Sequence, residues 1–258
     1  LKPLCIDLYA GLGGWTEGFL AEGYDCIGFD IERHQYGEEK YPAQLVLQDV
    51  LTLHGSQFRN AAIIVASPPC QAYSYRAMPW KRAKSLPPPD NSLFEACFRI
   101  QREACEATGG HIPMVVENVR GAQKWVGRAM CHFGSFYFWG DVPAIMPAQS
   151  YRKNSGGSWF GQRDGRLLER NDPRDMRRNA DGEFTVMGRT GGHNHPGKAL
   201  DGIKQHGSGA VWFDSGICKS SSRSDSRKAA SARIAKIPRP LSEWIARIYR
   251  PLESPHAG

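Results

Sequence analysis

The 258-residue sequence contains no apolar run near the roughly 18–20 residues that a membrane-spanning helix needs, which argues against a helical membrane protein. Its seven cysteines, Cys5, Cys26, Cys70, Cys97, Cys105, Cys131 and Cys218, include no C-x-x-C pair. A disulfide scaffold is therefore not expected, and several of these thiols lie in apolar stretches where a free cysteine simply packs. The opening LKPLCIDLYAG lacks an initiator Met and the anatomy of a signal peptide, and runs straight into a strand-like stretch. The expectation is a trimmed, soluble, cytoplasmic chain.

A hydrophobic content of 41% is enough for one sizeable core with a smaller appended lobe. The formal charge of +7 suits a polyanionic partner, although solvated lysines and arginines alone produce the same balance. Strand-like segments at 4–10, 26–31, 45–50, 62–67 and 114–119 alternate with a short helix carrying Trp15, Phe19 and Leu20 on one face, a polar helix-like stretch after 31, and a long helix over about 92–107. Near-continuous Val/Ile/Leu strands separated by helices predict an α/β protein with a parallel sheet covered on both faces. Such sheets bind ligands beyond the carboxyl ends of their strands.

Chemistry-bearing residues fall at those ends. The turn Gly11-Leu12-Gly13-Gly14 follows the first strand, Asp30 closes the second and Asp49 the third. A glycine turn admits close backbone approach, and an acid after the second strand suits ribose hydroxyls. The next glycine is Gly18, whereas the dinucleotide fingerprint needs one at position 16, which disfavours a nicotinamide enzyme. Asp7, four residues before Gly11, is poorly placed for a pyrophosphate but suits a donor bearing an amino group and a sulfonium, such as S-adenosylmethionine. After the fourth strand, ASPPCQ puts Cys70 behind two prolines. Neither proline has an N–H to give a sheet, so the chain leaves as a stiff turn that presents the thiol.

DLYAGLGGWTEGF, FDIE, QDV, SPPCQAYS, NSLFEACFRI and VVENVRG, in this order over residues 4–125, resemble the DNA cytosine-5 methyltransferase family. PCQ and ENV, each at a strand end with one long helix between, are the specific part. The resemblance implies a Rossmann-like S-adenosylmethionine-dependent methyltransferase sheet with a small irregular second lobe, and an enzyme that methylates carbon 5 of a flipped cytosine in double-stranded DNA. Cys70 would be the nucleophile and Glu117 the acid at ring N3, with Asn118 fixing Glu117. Asp7, Tyr9, Gly11, Leu12, Gly13, Gly14, Asp30, Ile31, Asp49 and Leu93 would line the donor site, with Asp30 on the ribose, Ile31 against the adenine and Asp49 near its amino group. Pro69 and Gln71 would shape the nucleophile turn and Ser74 would face a phosphate. A monomeric bacterial or phage protein, of the kind found in restriction–modification, belongs to the same expectation.

The chemistry explains the residue types. Carbon 5 of cytosine is a poor nucleophile until a thiolate adds to carbon 6, and cysteine combines that nucleophilicity with reversibility. A base inside a duplex is out of reach and must be flipped out. The stretch 72–90 is suited to closing over it, with Arg76, Lys81, Arg82 and Lys84 for phosphates and Tyr73, Tyr75 and Trp80 for stacking.

The domain plan is a catalytic and cofactor-binding core over 1–145, a target-recognition region over 146–230 and a segment over 231–258 that returns to the core. The middle region is rich in Gly, Arg, Ser and Asp, with Arg177 and Arg178 in a basic tract expected to meet DNA. The family's cytosine-clamping arginine is not evident, and QRDGR, with Arg163 and Arg166, only imitates it. GGHNHPG, with His193 and His195, and the later Cys218 do not complete a tetrahedral metal set. At the end, Leu241, Trp244, Ile245 and Ile248 are expected on one helical face. The same motifs leave open an RNA cytosine-5 methyltransferase, or a DNA-binding relative that has lost turnover.

Overall fold

The computed structural model describes residues 2–73, 87–147, 162–163, 166–167 and 225–251. The chain divides into two compact units, residues 1–147 with 236–258, and residues 148–235.

The first unit is built on a seven-stranded sheet. β1 (Leu4–Leu8) leads through a glycine turn into α1 (Gly14–Ala21), and then come β2 (Asp25–Asp30), β3 (Gln44–Leu47) and β4 (Ile63–Ala66). Helix α2 (Ser92–Thr108) carries the chain to β5 (Met114–Asn118), followed by a single helical turn, α3 (Gln123–Val126), and the hairpin β6 (Cys131–Phe133) and β7 (Phe136–Gly140). The strand order is β3-β2-β1-β4-β5-β7-β6. The first five strands pair in parallel, and β7 enters antiparallel between β5 and β6. Every residue of β4 and β5 is buried, as strands with covered faces on both sides require.

On one side of the sheet, α2 lays Phe94, Cys97, Ile100 and Ala104 against Ile64, Met114 and Val116. It stops at Gly109, whose φ of 73° lets its N–H return to the Cys105 carbonyl at 2.9 Å. On the other side lie α1 and α5 (Arg239–Tyr249), whose Trp15, Phe19, Leu241 and Ile245 pack with Cys5, Ile63 and Val115. Helices α1 and α5 meet at contacts that only glycine permits. A Cβ on Gly14 would stand 2.5 Å from the Ile237 nitrogen, and one on Gly18 would run into Ser242. Tyr24 adds a hydrogen bond to the Ala246 carbonyl at 3.0 Å, and Lys236 and Arg247 pair with Glu17 and Glu22 at 2.5 and 2.7 Å.

Several expectations need correction. The polar stretch after β2 is not a helix but a small hairpin, Gln35–Tyr36 against Glu39–Lys40, turned at Gly37 with φ 66°. Trp15 and Phe19 share the buried face of α1, but Leu20, about 100° further round, is exposed. In α5 the buried line is Leu241, Ser242, Ile245 and Ala246, and Ile248 falls at its edge and is 46% exposed. The second unit includes a short ladder of Gln162–Arg163 with Arg166–Leu167 and the helix α4 (Asp225–Ala235). No helix among the described residues is long and apolar enough to cross a membrane. The six cysteines in the described part are all free.

Candidate active site

The parallel register carries the chemistry to one edge of the sheet. β4 and β5 are neighbours with Ala66 opposite Val116, so the chain leaving β4 and Glu117 emerge side by side at the carboxyl ends. Ser67 continues the ladder for one more bond, its N–H donating to the Leu8 carbonyl at 3.2 Å, and the two prolines then end it. Pro68 is buried, Pro69 is exposed and Cys70 is half-buried. Its carbonyl accepts from the Tyr73 N–H at 3.0 Å, which closes a tight turn over Gln71–Tyr73.

That turn is tied down at three points. The Trp15 indole donates to Ser67 Oγ at 3.0 Å, and Asn118 Nδ2 donates to the Pro68 carbonyl at 2.9 Å. The Tyr73 hydroxyl donates to Asn91 Oδ1 at 2.9 Å, and Asn91 reaches on to the Trp125 carbonyl at 3.3 Å. The Asn118 amide nitrogen holds the proline turn and its oxygen accepts the Val119 N–H at 2.8 Å. One expectation changes here. Tyr73 is buried as an anchor of the turn and cannot stack on a base. Glu117 is 3% exposed, between β4 and β7.

At the other strand ends, Tyr9 takes a positive φ of 59°, and its hydroxyl donates to the Leu93 carbonyl in the first turn of α2 at 2.7 Å. Gly11 has φ 52°, and among the described residues a Cβ there would have only the Tyr9 carbonyl within 4 Å, so the space above it is open to them. Leu12, Gly13 and Gly14 are buried. The missing side chains of Gly13 and Gly14 make room for Pro42 and for Lys236 and Ile237.

Asp30 accepts the Gly11 N–H at 2.9 Å and the Glu32 N–H at 3.3 Å, with His34 Nε2 at 3.7 Å. Burial alone would raise its pKa, but the pairing with His34 and the two backbone donors outweigh it and hold the carboxyl below the ordinary range. His34 is raised in turn, chiefly by its bond to Asp30. Asp49, partly exposed, caps the turn after β3 by accepting the Leu51 N–H at 2.9 Å. Ile31 stands 73% exposed just past β2, and Leu47 and Leu51 lie exposed at the end of neighbouring β3. Leu47 and Leu51 escaped the sequence reading, because only the fold marks an apolar residue at a strand end as uncovered.

Asp7 is the clearest departure. It is 1% exposed, and its Oδ2 accepts from Thr16 Oγ1 at 2.7 Å, while Thr16 meets the Tyr41 hydroxyl at 2.5 Å. Burial, only partly offset by the Thr16 bond, pushes the carboxyl up to about 8, so it is largely neutral at pH 7. A sealed, neutral acid does not recognise a donor's amino group, and that expectation is withdrawn. Ser74, Arg76, Tyr75, Trp80, Arg177, Arg178, His193, His195 and Cys218 lie outside the described residues. Arg163 and Arg166 are described only as backbone of the short ladder in the second unit.

A seven-stranded sheet of five parallel strands extended by the hairpin β6–β7, with β7 antiparallel and a glycine turn after the first strand, is a Rossmann-like methyltransferase fold. Within that class the sequence is more specific. Residues 4–124 match the family model of the C-5 cytosine-specific DNA methylase. The type II methyltransferase M.DdeI of Desulfomicrobium norvegicum is 30% identical over 98 residues, covering 34% of this chain and 22% of that protein. The match thus spans about a fifth of the relative's length. Among solved structures, the Dnmt2 methyltransferase of S. pombe superposes with a TM-score of 0.45 and 11% identity over 96% of this chain and 98% of its own. A mutant DNMT2 of Spodoptera frugiperda gives 0.33 and 19% over 48% and 37%. The fold assignment rests on the strand order rather than on these superpositions.

Proposed function

We propose that the protein is a DNA cytosine-5 methyltransferase that works through a covalent cysteine adduct. The observation that carries the reading is the juxtaposition of the Cys70 turn and Glu117 on adjacent strand ends, with Asn118 bonded to the turn. The family match over residues 4–124 and the likeness to M.DdeI support DNA as the substrate.

The donor site fits S-adenosylmethionine in the residues it offers. Gly11 leaves open space, Asp30 is an ionised acid suited to ribose hydroxyls, Ile31 offers an uncovered apolar face for adenine, and Asp49 lies beyond β3 for the adenine amino group. When bound, that donor supplies a methyl group on a sulfonium. The protein's own part is the activation of cytosine. Cys70 Sγ adds to carbon 6, the 5,6 double bond opens toward carbon 5, and Glu117 bonds to or protonates N3 to accept the displaced charge. After methylation a base removes the proton from carbon 5. The electrons of that C–H bond re-form the double bond and expel Cys70 Sγ. Pro69 and Gln71, both exposed beside Cys70, shape the approach of the ring. Residues 146–230, including Arg177 and Arg178, are assigned the reading of the target duplex.

A duplex carrying 5-fluorocytosine tests the mechanism, because fluorine at carbon 5 cannot leave as a proton and the adduct persists. With S-adenosylmethionine present, the wild type should form a denaturation-resistant complex and Cys70→Ser should not. Capture of an RNA of the same sequence instead would move the substrate class. No capture of either by the wild type would refute the covalent reading.

A further inference from the structure

We infer that Tyr41 is a positioning residue of the donor site, the outer end of a buried strut Tyr41–Thr16–Asp7 that sets the glycine turn after β1 against Asp30. The inference rests on the donor reading above.

The strut is a chain of two short hydrogen bonds. Thr16 Oγ1 bonds to Asp7 Oδ2 at 2.7 Å and to the Tyr41 hydroxyl at 2.5 Å, where either oxygen can donate. The three members come from β1, from α1 and from the segment entering β3, so the strut ties together the elements that surround the turn. The ring of Tyr41 lies over Gly28, where any Cβ would collide with it, and the same Cβ would stand 2.8 Å from that of Ala10. Tyr41 thus sits between β2, two residues before Asp30, and the residue before Gly11.

Those two neighbours hold the turn itself. The Ala10 N–H donates to the Phe29 carbonyl at 3.1 Å, the Gly13 N–H to the Ala10 carbonyl at 2.8 Å, and the Gly11 N–H to Asp30 at 2.9 Å. Pro42, next to Tyr41, fills the place of a side chain on Gly13, with Cγ 3.1 Å from where that Cβ would be. Packing alone would be served as well by phenylalanine, since a buried hydroxyl is costly unless bonded. The strut has no redundancy at its inner end, because Asp7 Oδ1 is buried without a hydrogen-bond partner among the described residues.

The test is Tyr41→Phe in the full chain, with S-adenosylmethionine binding measured by calorimetry and methyl transfer to duplex DNA measured at steady state. Loss of one net hydrogen bond predicts that the donor's Kd and KM rise about fivefold. The kcat and the KM for DNA should stay within about twofold, a split that a general loss of structure would not give. Thr16→Val should reproduce the effect, Thr16→Ser should bind donor like the wild type, and Tyr41→Phe with Thr16→Val should be no worse than either alone. Unchanged donor affinity in Tyr41→Phe, or kcat and both KM values moving together, would overturn the inference. If Tyr41→Phe does not fold, the contrast of Thr16→Val with Thr16→Ser decides alone. A wild type that binds no S-adenosylmethionine would refute the donor reading instead.

Discussion

Replacing Asp7 by Asn keeps the shape of a sealed side chain and the oxygen that accepts from Thr16, but removes a proton equilibrium that folding has displaced. Burial raises the carboxyl from 3.8 to about 8. Between those values the folded protein holds a proton that the unfolded chain has released, so the wild type loses stability as pH rises through that window. The full contribution is present below about pH 4 and exhausted above about pH 8. Four pH units of linkage at about 1.4 kcal/mol each give an upper bound near 6 kcal/mol. Asn does not titrate, so its stability advantage should grow from near zero at pH 4, through at most about 2 kcal/mol at pH 5, to about 2–6 kcal/mol at pH 8. Urea unfolding of both proteins at pH 5, 6, 7 and 8 measures this, because groups common to both cancel in the difference. An advantage that stays constant across the series, or an Asn variant less stable at pH 8, would refute the account of Asp7 as a sealed acid. Donor affinity at pH 7 should change less than twofold, whereas direct recognition of the donor's amino group by Asp7 would make it fall.

Asn118→Ala strips the Pro68 carbonyl and the Val119 N–H of their partner in a buried setting, at a cost of about 2–4 kcal/mol. Thermal melting should show that loss, and alkylation of Cys70 by iodoacetamide should accelerate as its turn loosens. Gly14→Ala drives a methyl into the backbone at Ile237, which must move, and should destabilise the protein by about 1–3 kcal/mol. Hydrogen exchange should then speed up in α1 and in residues 236–249 before it does in β4 and β5.

The parts legible in the sequence are those in which chemistry or periodicity dictates residue type locally. Two prolines must end β4 wherever the rest of the chain goes, and a fully apolar Val115-Val116 before Glu117 must be a covered strand. Partnership across the fold is not written locally. Nothing near Asn118 announces Pro68, nothing near Trp15 announces Ser67, and Asp7 reads as a ligand-facing acid until Tyr41 and Thr16 close over it. The same limit explains the hairpin at Gln35–Tyr36, whose polar residues carry neither period strongly enough to overrule Gly37.

The glycine turn shows the division within a few residues. Gly11 and Gly13 are glycine because of their own backbone, each at a positive φ, and a reader of the sequence can infer that from a strand meeting a helix. Gly14 and Gly18 are glycine because of α5, which approaches so closely that Ile237 and Ser242 occupy the space of a side chain. A cluster of four glycines thus serves two purposes. Two shape the edge proposed to receive the donor, and two let the returning helix clamp α1 from behind, with Trp15 between them bonded to Ser67 and giving its carbonyl to the Ser242 hydroxyl. Through that one residue the C-terminal helix reaches the turn that presents Cys70. A chain cut before residue 236 should therefore lose order at the nucleophile as well as at α1.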